Sequence, residues 1–166
     1  MEKFDQVVIA THSDQALALP ADPTDTEKNI LGAISCQENQ AVLDCDESLL
    51  PSKKAAWASW SYHLPAEDLG RVAVTCDMNI LQSIGAPAEL CVSLNLAKAI
   101  DPAKIYREML YHHPMYNPAS LTARHSHRDI NGVNRTYYAG AYWNYGFHED
   151  GVVSALEVCK YFSKTL

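Results

Sequence analysis

The sequence predicts an α+β (mixed α/β) fold, with helices beside an antiparallel sheet of four or more strands and a strand-loop-helix unit near the C-terminus. Between residues 40 and 95 apolar and polar side chains alternate with a period of two, which is typical of strands with one buried face. Residues 152–162 instead place apolar side chains at helical spacing, directly after a glycine-rich loop. With 166 residues, 48% apolar and 20% charged, we expect one compact globular unit over residues 1–166.

The N-terminal segment predicts a strand followed by two helices. The apolar run at residues 7–10 is typical of a buried parallel strand, whose partners must come from later in the chain or from another polypeptide. Ser13 is expected to cap a short helix that ends near Leu19. Acidic residues at the start of 25–34 favour a second helix there, because a carboxylate stabilises a helix N-terminus.

The rest of the chain predicts the sheet and its connections. The Asp101-Pro102 pair predicts a brief helix, and Asn131-Gly132 predicts a turn. A final strand at 135–140 leads to the loop at 140–151 and then to the helix at 152–162. The other strands are predicted at residues 41–43, 55–63, 71–79, 89–95 and 108–116.

Composition excludes several functional classes. With a net charge of −7 and no lysine- or arginine-rich stripe, the chain is not expected to bind nucleic acid. No apolar stretch approaches the roughly 20 residues that cross a bilayer, so we expect no membrane span and a cytoplasmic protein. The cysteines form no C-x-x-C pair and are expected to be reduced thiols; they are Cys36, Cys45, Cys76, Cys91 and Cys159.

The loop at 140–151, GAYWNYGFHEDG, is the strongest candidate for a ligand site. A strand that ends in glycines before a helix offers unpaired backbone N–H groups to an anionic or dipolar ligand. Gly140 and Gly146 would let the backbone approach such a ligand closely. The aromatic residues would form flat walls for a planar cofactor or an apolar substrate; they are Tyr142, Trp143, Tyr145 and Phe147. In the alternative interpretation Asp150 caps the helix, Glu149 stabilises its positive end and the aromatics fill the core.

Four stretches together suggest a family: residues 10–17 (ATHSDQAL), 74–82 (VTCDMNILQ), 111–114 (YHHP) and 130–158, which includes the loop. The chain resembles, over nearly its whole length, the C-terminal half of bacterial FAD-dependent amine-oxidase-like proteins, which are also described as predicted NAD/FAD-binding oxidoreductases. The loop is the most specific part of this resemblance.

The resemblance implies a cofactor, FAD, and a division of the chain. Residues 1–12 and 133–166 would be the remnant of an FAD-binding domain, and residues 13–132 a substrate-domain-like region. Gly140 and Ala141 would lie on the ribityl side of the flavin, and the start of the last helix near its ring. The implied cofactor-binding residues are Gly140, Ala141, Tyr142, Trp143, Gly146, Phe147, His148, Glu149, Asp150, Gly151 and Val152. No catalytic residue is identified.

Two departures from the family pattern shape the expected function. Ala141 stands where many flavoproteins place an acid that binds the ribityl chain. The fingerprint G-x-G-x-x-G, which would hold the ADP half of FAD, does not occur. We therefore expect the C-terminal portion of an FAD-dependent oxidoreductase that acts on an unknown apolar or amine small molecule, and we expect this chain to be inactive alone.

Two alternatives remain open. The chain is a noncatalytic domain that forms a homodimer or pairs with a separate N-terminal half, or it is a metal-binding protein. Histidines that suggest a metal site lie at 112–113, at 125 and 127, and at 148 beside two acids, although no H-E-x-x-H spacing supports them. His12 and the following Ser13-Asp14, at the end of the first strand, either contact a cofactor or begin the next helix.

Overall fold

A computed structural model describes residues 2–66 and 69–165 and confirms the α+β class. The described residues form seven strands: β1 (Val7–Ile9), β2 (Cys36–Asp44), β3 (Trp60–Tyr62), β4 (Val74–Asp77), β5 (Cys91–Leu94), β6 (Ile105–Pro114) and β7 (Thr136–Tyr138). They also form six α-helices: α1 (Ser13–Ala18), α2 (Asp25–Ala33), α3 (Met78–Gln82), α4 (Pro118–Arg124), α5 (His127–Ile130) and α6 (His148–Lys160). No helix in this described part of the chain has the length and apolar character needed to cross a membrane.

The larger sheet has the order β3-β4-β5-β2-β6, and its pairs β3-β4, β4-β5 and β5-β2 are antiparallel. In the register Asp77, Cys91 and Asp44 lie opposite one another across three neighbouring strands. The predicted antiparallel sheet of four or more strands is therefore confirmed.

The smaller sheet pairs β1 with β7 in parallel, with Val8 opposite Tyr137. The predicted parallel strand near the N-terminus is therefore confirmed, and its partner comes from late in the chain. The expectation that the whole strand is buried is wrong for Val7 and Val8, which are about half exposed, whereas Ile9 is buried. The reason is that β1 has a single neighbouring strand among the described residues, so one edge and part of one face stay open.

Several elements differ from their predicted bounds for local reasons. The strand predicted at 71–79 ends at Asp77, because its Oδ1 accepts a hydrogen bond from the Ile80 N–H (3.0 Å) and caps α3. The strand predicted at 55–63 is reduced to β3, because residues 54–56 form a 3₁₀ turn and the Trp57 indole donates to the Pro51 carbonyl (2.7 Å). The last helix begins at His148 rather than at 152.

The backbone contacts divide the chain into two compact units. Unit 1 comprises the residues up to 37 together with those from 113 onward, and unit 2 comprises residues 38–112. These bounds differ from the expected middle region at 13–132, since α1, α2, α4 and α5 group with the two terminal segments. The assignment of a cofactor domain and a substrate domain stays a prediction.

The two units have different interiors. Unit 1 has a large apolar and aromatic core formed by Ile9, Ala16, Ile30, Leu31, Ile34, Ala123, Ile130, Tyr138, Tyr142 and Trp143. Unit 2 buries several polar side chains in its sheet, where the Thr75 hydroxyl lies 3.0 Å from His63 Nε2 and 3.2 Å from the Ser93 hydroxyl. Burial lowers the pKa of His63, so the neutral imidazole is favoured in this network.

Candidate functional site

The predicted ligand loop begins where β7 ends, and close contacts fix its first glycine. The Gly140 N–H donates to the Ser154 hydroxyl (2.9 Å), and that hydroxyl donates to the Gly151 carbonyl (2.9 Å), which ties the strand end to α6. A Cβ at position 140 would lie 2.2 Å from Cε1 of Tyr142. No side chain fits there without displacing the Tyr142 ring, so the glycine is needed for steric reasons.

The second half of the loop is clamped around Gly146. This residue has φ of +88°, a conformation that favours glycine, and its N–H donates to the Ala141 carbonyl (3.1 Å). A Cβ at Gly146 would lie 2.6 Å from the Tyr116 hydroxyl. The guanidinium of Arg124 lies over the Tyr116 and Tyr145 rings (4.8 and 5.6 Å) and donates to the Asn144 carbonyl.

The acids at the start of α6 have a local role in the loop. Asp150 Oδ2 accepts hydrogen bonds from the Phe147 N–H (2.9 Å) and the Tyr145 N–H (3.1 Å). Phe147, not Asp150, is the capping residue, and Asp150 reaches back from the first turn. The N–H groups of residues 148–150 have no intrahelical acceptor, because the first bond of α6 is donated by Gly151 to the Phe147 carbonyl (3.2 Å). They remain available to a ligand.

The predicted site residues fall into a buried, a half-buried and an exposed group. Tyr142 and Trp143 are only 3% and 4% exposed and pack in the core, where the Trp143 ring stacks on His127 with centroids 4.1 Å apart. Gly140, Ala141, Asp150 and Gly151 are half-buried. The exposed group is Tyr145, Gly146, Phe147, His148, Glu149 and Val152. We call this exposed group the loop-helix face.

Buried polar groups beneath the loop are held in their neutral forms. Burial raises the pKa of the Tyr142 hydroxyl above its usual range. Burial also lowers the pKa of His127, whose Nε2 lies 2.6 Å from the Tyr138 carbonyl and must donate a proton to it. Both side chains therefore favour their neutral forms at neutral pH.

A basic cleft lies beside the loop and was not predicted as a ligand site. It has a volume of about 330 Å³. Two arginines, Arg124 and Arg128, make it basic. The rest of the lining consists of His125, His127, Trp143, Asn144, Val153, Ser154 and Glu157. Arg128 lies 3.8 Å from a Glu157 carboxylate oxygen. The signal in the sequence was the run RHSHR at 124–128, which supplies four of the lining side chains.

One cluster of metal-ligating side chains is present among the described residues, and it differs from those the sequence suggested. One ligand atom each of His12, Asp14 and Cys36 lies within 4.8 Å of the other two. The spacing His-x-Asp is visible in the sequence, but Cys36 follows only after α2, so folding alone reveals the group. Burial raises the pKa of the Cys36 thiol, as does the nearby Asp14 charge, which makes this thiol a poor nucleophile.

The histidines that suggested a metal site form no three-residue metal-ligating group among the described residues. His112 lies 3.9 Å from Glu38, His127 is bound to the Tyr138 carbonyl, and His148 is exposed at the start of α6. No group of three metal-ligating side chains within the described residues includes any of them.

Comparisons with known proteins do not identify a family. No protein-family model matches the chain, and no curated protein shows significant similarity to it.

Proposed function

We propose that the chain is the C-terminal portion of an FAD-dependent oxidoreductase of amine-oxidase type, with the flavin against the loop-helix face. One observation supports this most strongly. The parallel pair β1-β7 is followed by a loop with two sterically required glycines and then by the N-terminus of α6. Within the described part of the chain, the first amides of α6 have no hydrogen-bond acceptor. Such an arrangement suits the carbonyl edge of a ring or an anionic group.

The residues present fit the ring of a flavin better than its adenosine half. Tyr145 and Phe147 are 72% and 65% exposed and offer apolar surface beside the free amides. The backbone at Gly151 is not crowded, since an added Cβ there would contact only the Ala141 Cβ, at 3.9 Å. The sequence lacks the G-x-G-x-x-G fingerprint, so the adenosine half would be held by a segment that carries that motif.

In this proposal the chain orients the cofactor and shields it. A bound flavin would supply hydride acceptance from an apolar or amine substrate. The amides of residues 148–150 would hold the polar edge of the ring, and the partial positive charge of the helix N-terminus would favour negative charge there. The side chains of Tyr145 and Phe147 would cover the ring and exclude water.

Titration with FAD and with FMN tests the proposal through flavin absorbance and fluorescence quenching. We expect binding by the unmodified chain, and we expect Gly151→Ala to weaken it at least about tenfold, because in this proposal the ring approaches the start of α6 at Gly151 and the new methyl group would crowd it. Gly32→Ala is the matched control, since it also replaces a helical glycine and its Cβ meets only Leu17 at 3.8 Å. The proposal fails if neither flavin binds or if both variants bind alike.

A second candidate function is favoured by the open side of β1. Val7 and Val8 are 48% and 50% exposed, and Phe4 before them is 76% exposed. An apolar strand with a free edge readily pairs with another chain. We propose as the alternative that β1 joins a second copy of this chain or a separate N-terminal half, without catalysis by this chain.

Sedimentation across a range of concentrations distinguishes this alternative. We expect a dimer that Val7→Lys converts to a monomer, whereas Val72→Lys, at an equally exposed position outside the strands, leaves it intact. A chain that is monomeric at every concentration and binds flavin would contradict self-association and support the first proposal.

A further inference from the structure

The side chains of His12, Asp14 and Cys36 converge within unit 1, and neither the proposed flavin site nor the proposed self-association uses them. His12 follows β1, Asp14 lies in the first turn of α1 and Cys36 is the first residue of β2. Their nearest ligand atoms, an imidazole nitrogen, a carboxylate oxygen and the thiol sulfur, lie within 4.8 Å of one another.

The backbone around this cluster is firmly held. Ser13, between two of the three residues, is fully buried, and its hydroxyl donates to the Ile34 carbonyl two residues before Cys36. The Ser13 hydroxyl also lies 3.9 Å from Cys36 Sγ. The His12 carbonyl accepts from the Ala16 N–H (2.7 Å), and the His12 N–H donates to Gln15 Oε1 (3.3 Å). The two segments are thus joined before any ligand binds.

The mixture of donor atoms selects the kind of ion. Thiolate and imidazole ligands favour Zn²⁺ and similar transition metals, whereas Mg²⁺ and Ca²⁺ prefer oxygen alone. Tetrahedral zinc has bonds of about 2.0–2.3 Å, which set its ligand atoms about 3.3–3.8 Å apart. Because Asp14 is exposed, rotation of its side chain can close the remaining distance. A thiolate and a carboxylate together neutralise a divalent cation.

We propose that His12, Asp14 and Cys36 form a Zn²⁺ site with a water molecule in the fourth position. The ion links the start of α1 to the start of β2. Three protein ligands with one open position are typical of zinc sites that activate water or polarise a bound group.

Cobalt substitution tests the site directly. The chain is freed of metal by a chelator, kept reduced and titrated with Co²⁺, and then with Zn²⁺. We expect one equivalent of Co²⁺ to produce the tetrahedral d–d bands and a thiolate charge-transfer band, both abolished when Zn²⁺ displaces it. Cys36→Ser should remove the charge-transfer band, while Cys159→Ser, at another half-buried cysteine, should keep it.

Asp14 is exposed, so we expect a variant at this ligand to fold and to test the metal site alone. Asp14→Asn should weaken Zn²⁺ binding by more than about tenfold, because even loss of a group that only orients a ligand costs about 10–100-fold. Asp25→Asn, also at an exposed position in the first turn of a helix, should bind like the unmodified chain. Absence of stoichiometric Co²⁺ binding, or retention of the charge-transfer band in a folded Cys36→Ser variant, would overturn the proposal, as would unchanged Zn²⁺ affinity in Asp14→Asn.

Discussion

At the scale of single residues, position 140 requires glycine because of its neighbours rather than its backbone conformation. Its φ of 167° is extended and open to any residue. The constraint is the Tyr142 ring, whose Cε1 and Cδ1 would lie 2.2 and 2.6 Å from an added Cβ. Since Tyr142 is only 3% exposed and packs in the core, the ring has little space into which to move.

We therefore predict that Gly140→Ala lowers the free energy of unfolding by about 1–3 kcal/mol, the usual cost of overpacking a core. Urea denaturation followed by circular dichroism measures this change. Gly85→Ala is the control, because an added Cβ there meets nothing within 4 Å. Equal midpoints for the two variants would show that the Tyr142 ring moves freely.

A second residue-scale feature is the buried pair Tyr138–Glu27. The Tyr138 hydroxyl donates to Glu27 Oε1 (2.6 Å), and Oε2 accepts from the Thr24 N–H (2.7 Å) and hydroxyl (2.9 Å). Burial raises the pKa of Glu27, but these hydrogen bonds outweigh it and hold the pKa below its ordinary value of 4.5. The pair joins β7 to α2 within the core of unit 1.

Tyr138→Phe is predicted to destabilise the fold by about 1.5–3 kcal/mol at pH 7, as expected for a hydrogen bond to a charged group. Because the folded pKa of Glu27 is depressed, its contribution is present above pH 4.5 and is lost as the pH falls through the folded pKa. The difference between the variant and the unmodified chain should therefore shrink in acid. Tyr145→Phe, at an exposed hydroxyl, should match the unmodified chain at every pH.

At the scale of elements, the end of β2 places two buried carboxylates in opposite environments. Asp46 accepts from the Asp101 N–H (2.9 Å), Lys104 Nζ (2.9 Å) and the Ser48 N–H (3.1 Å). The Asp101 amide, with help from Lys104 and Ser48, holds the pKa of Asp46 well below its usual range. Burial instead raises the pKa of Asp44, whose Oδ2 has no hydrogen-bond partner among the described residues.

Asparagine substitutions at these two positions should have opposite effects. Asp46→Asn is predicted to lower the free energy of unfolding by about 1–3 kcal/mol at pH 7, because it weakens charged hydrogen bonds between two loops. Asp44→Asn should raise it, since it removes a desolvated charge. Because the folded pKa of Asp44 is raised, its difference should fade as the pH falls through that folded pKa towards 3.8, the ordinary pKa of an aspartate. Because the folded pKa of Asp46 is depressed, its difference should begin to fade only below pH 3.8 and should persist in part at pH 3. Chemical denaturation at pH 7 and pH 3 measures this, and a similar loss in both variants would contradict it.

The elements also show what sequence patterns could and could not predict. Acidic residues at a helix start predicted α2, an Asn-Gly pair predicted the turn at Gly132, and alternation predicted most strands, because those signals are local. The loop at 140–151 was predicted for the same reason. The helices α4 and α5 were not predicted, because they are short and lack a clear apolar period. The division of the loop aromatics into buried and exposed groups depends on contacts with His127 and Tyr116, which sequence spacing does not show.

At the scale of the whole molecule, the two units differ in how much apolar surface they bury. Unit 2 buries as many polar as apolar side chains among the described residues, and most of the apolar ones are small. Its buried apolar residues are Ala41, Val42, Leu50, Ala73, Cys91 and Ile100. Unit 1 instead buries several tyrosines, isoleucines and a tryptophan. Since local stability follows buried apolar contact, unit 2 should open more readily.

We predict that native-state hydrogen exchange is faster in unit 2 than in unit 1. The amides of β4 and β5 should exchange sooner than those of α2 and β7, even though β4 and β5 lie inside a five-stranded sheet. Mass spectrometry of peptic fragments resolves these segments. The same protection in both units, at a pH where exchange reports equilibrium opening, would contradict the prediction.

The parallel pairing of β1 with β7 also sets an order of events during synthesis. Residues 7–9 leave the ribosome long before residues 136–138, their partners in the smaller sheet, have been made. At about 5–20 residues per second, the first strand must wait on the order of ten seconds. All the residues of unit 2 come after β1 and before β7 in the sequence, so the sheet of unit 2 can form during that interval. The apolar side chains of β1 therefore lack their β7 neighbours until residues 136–138 have been made.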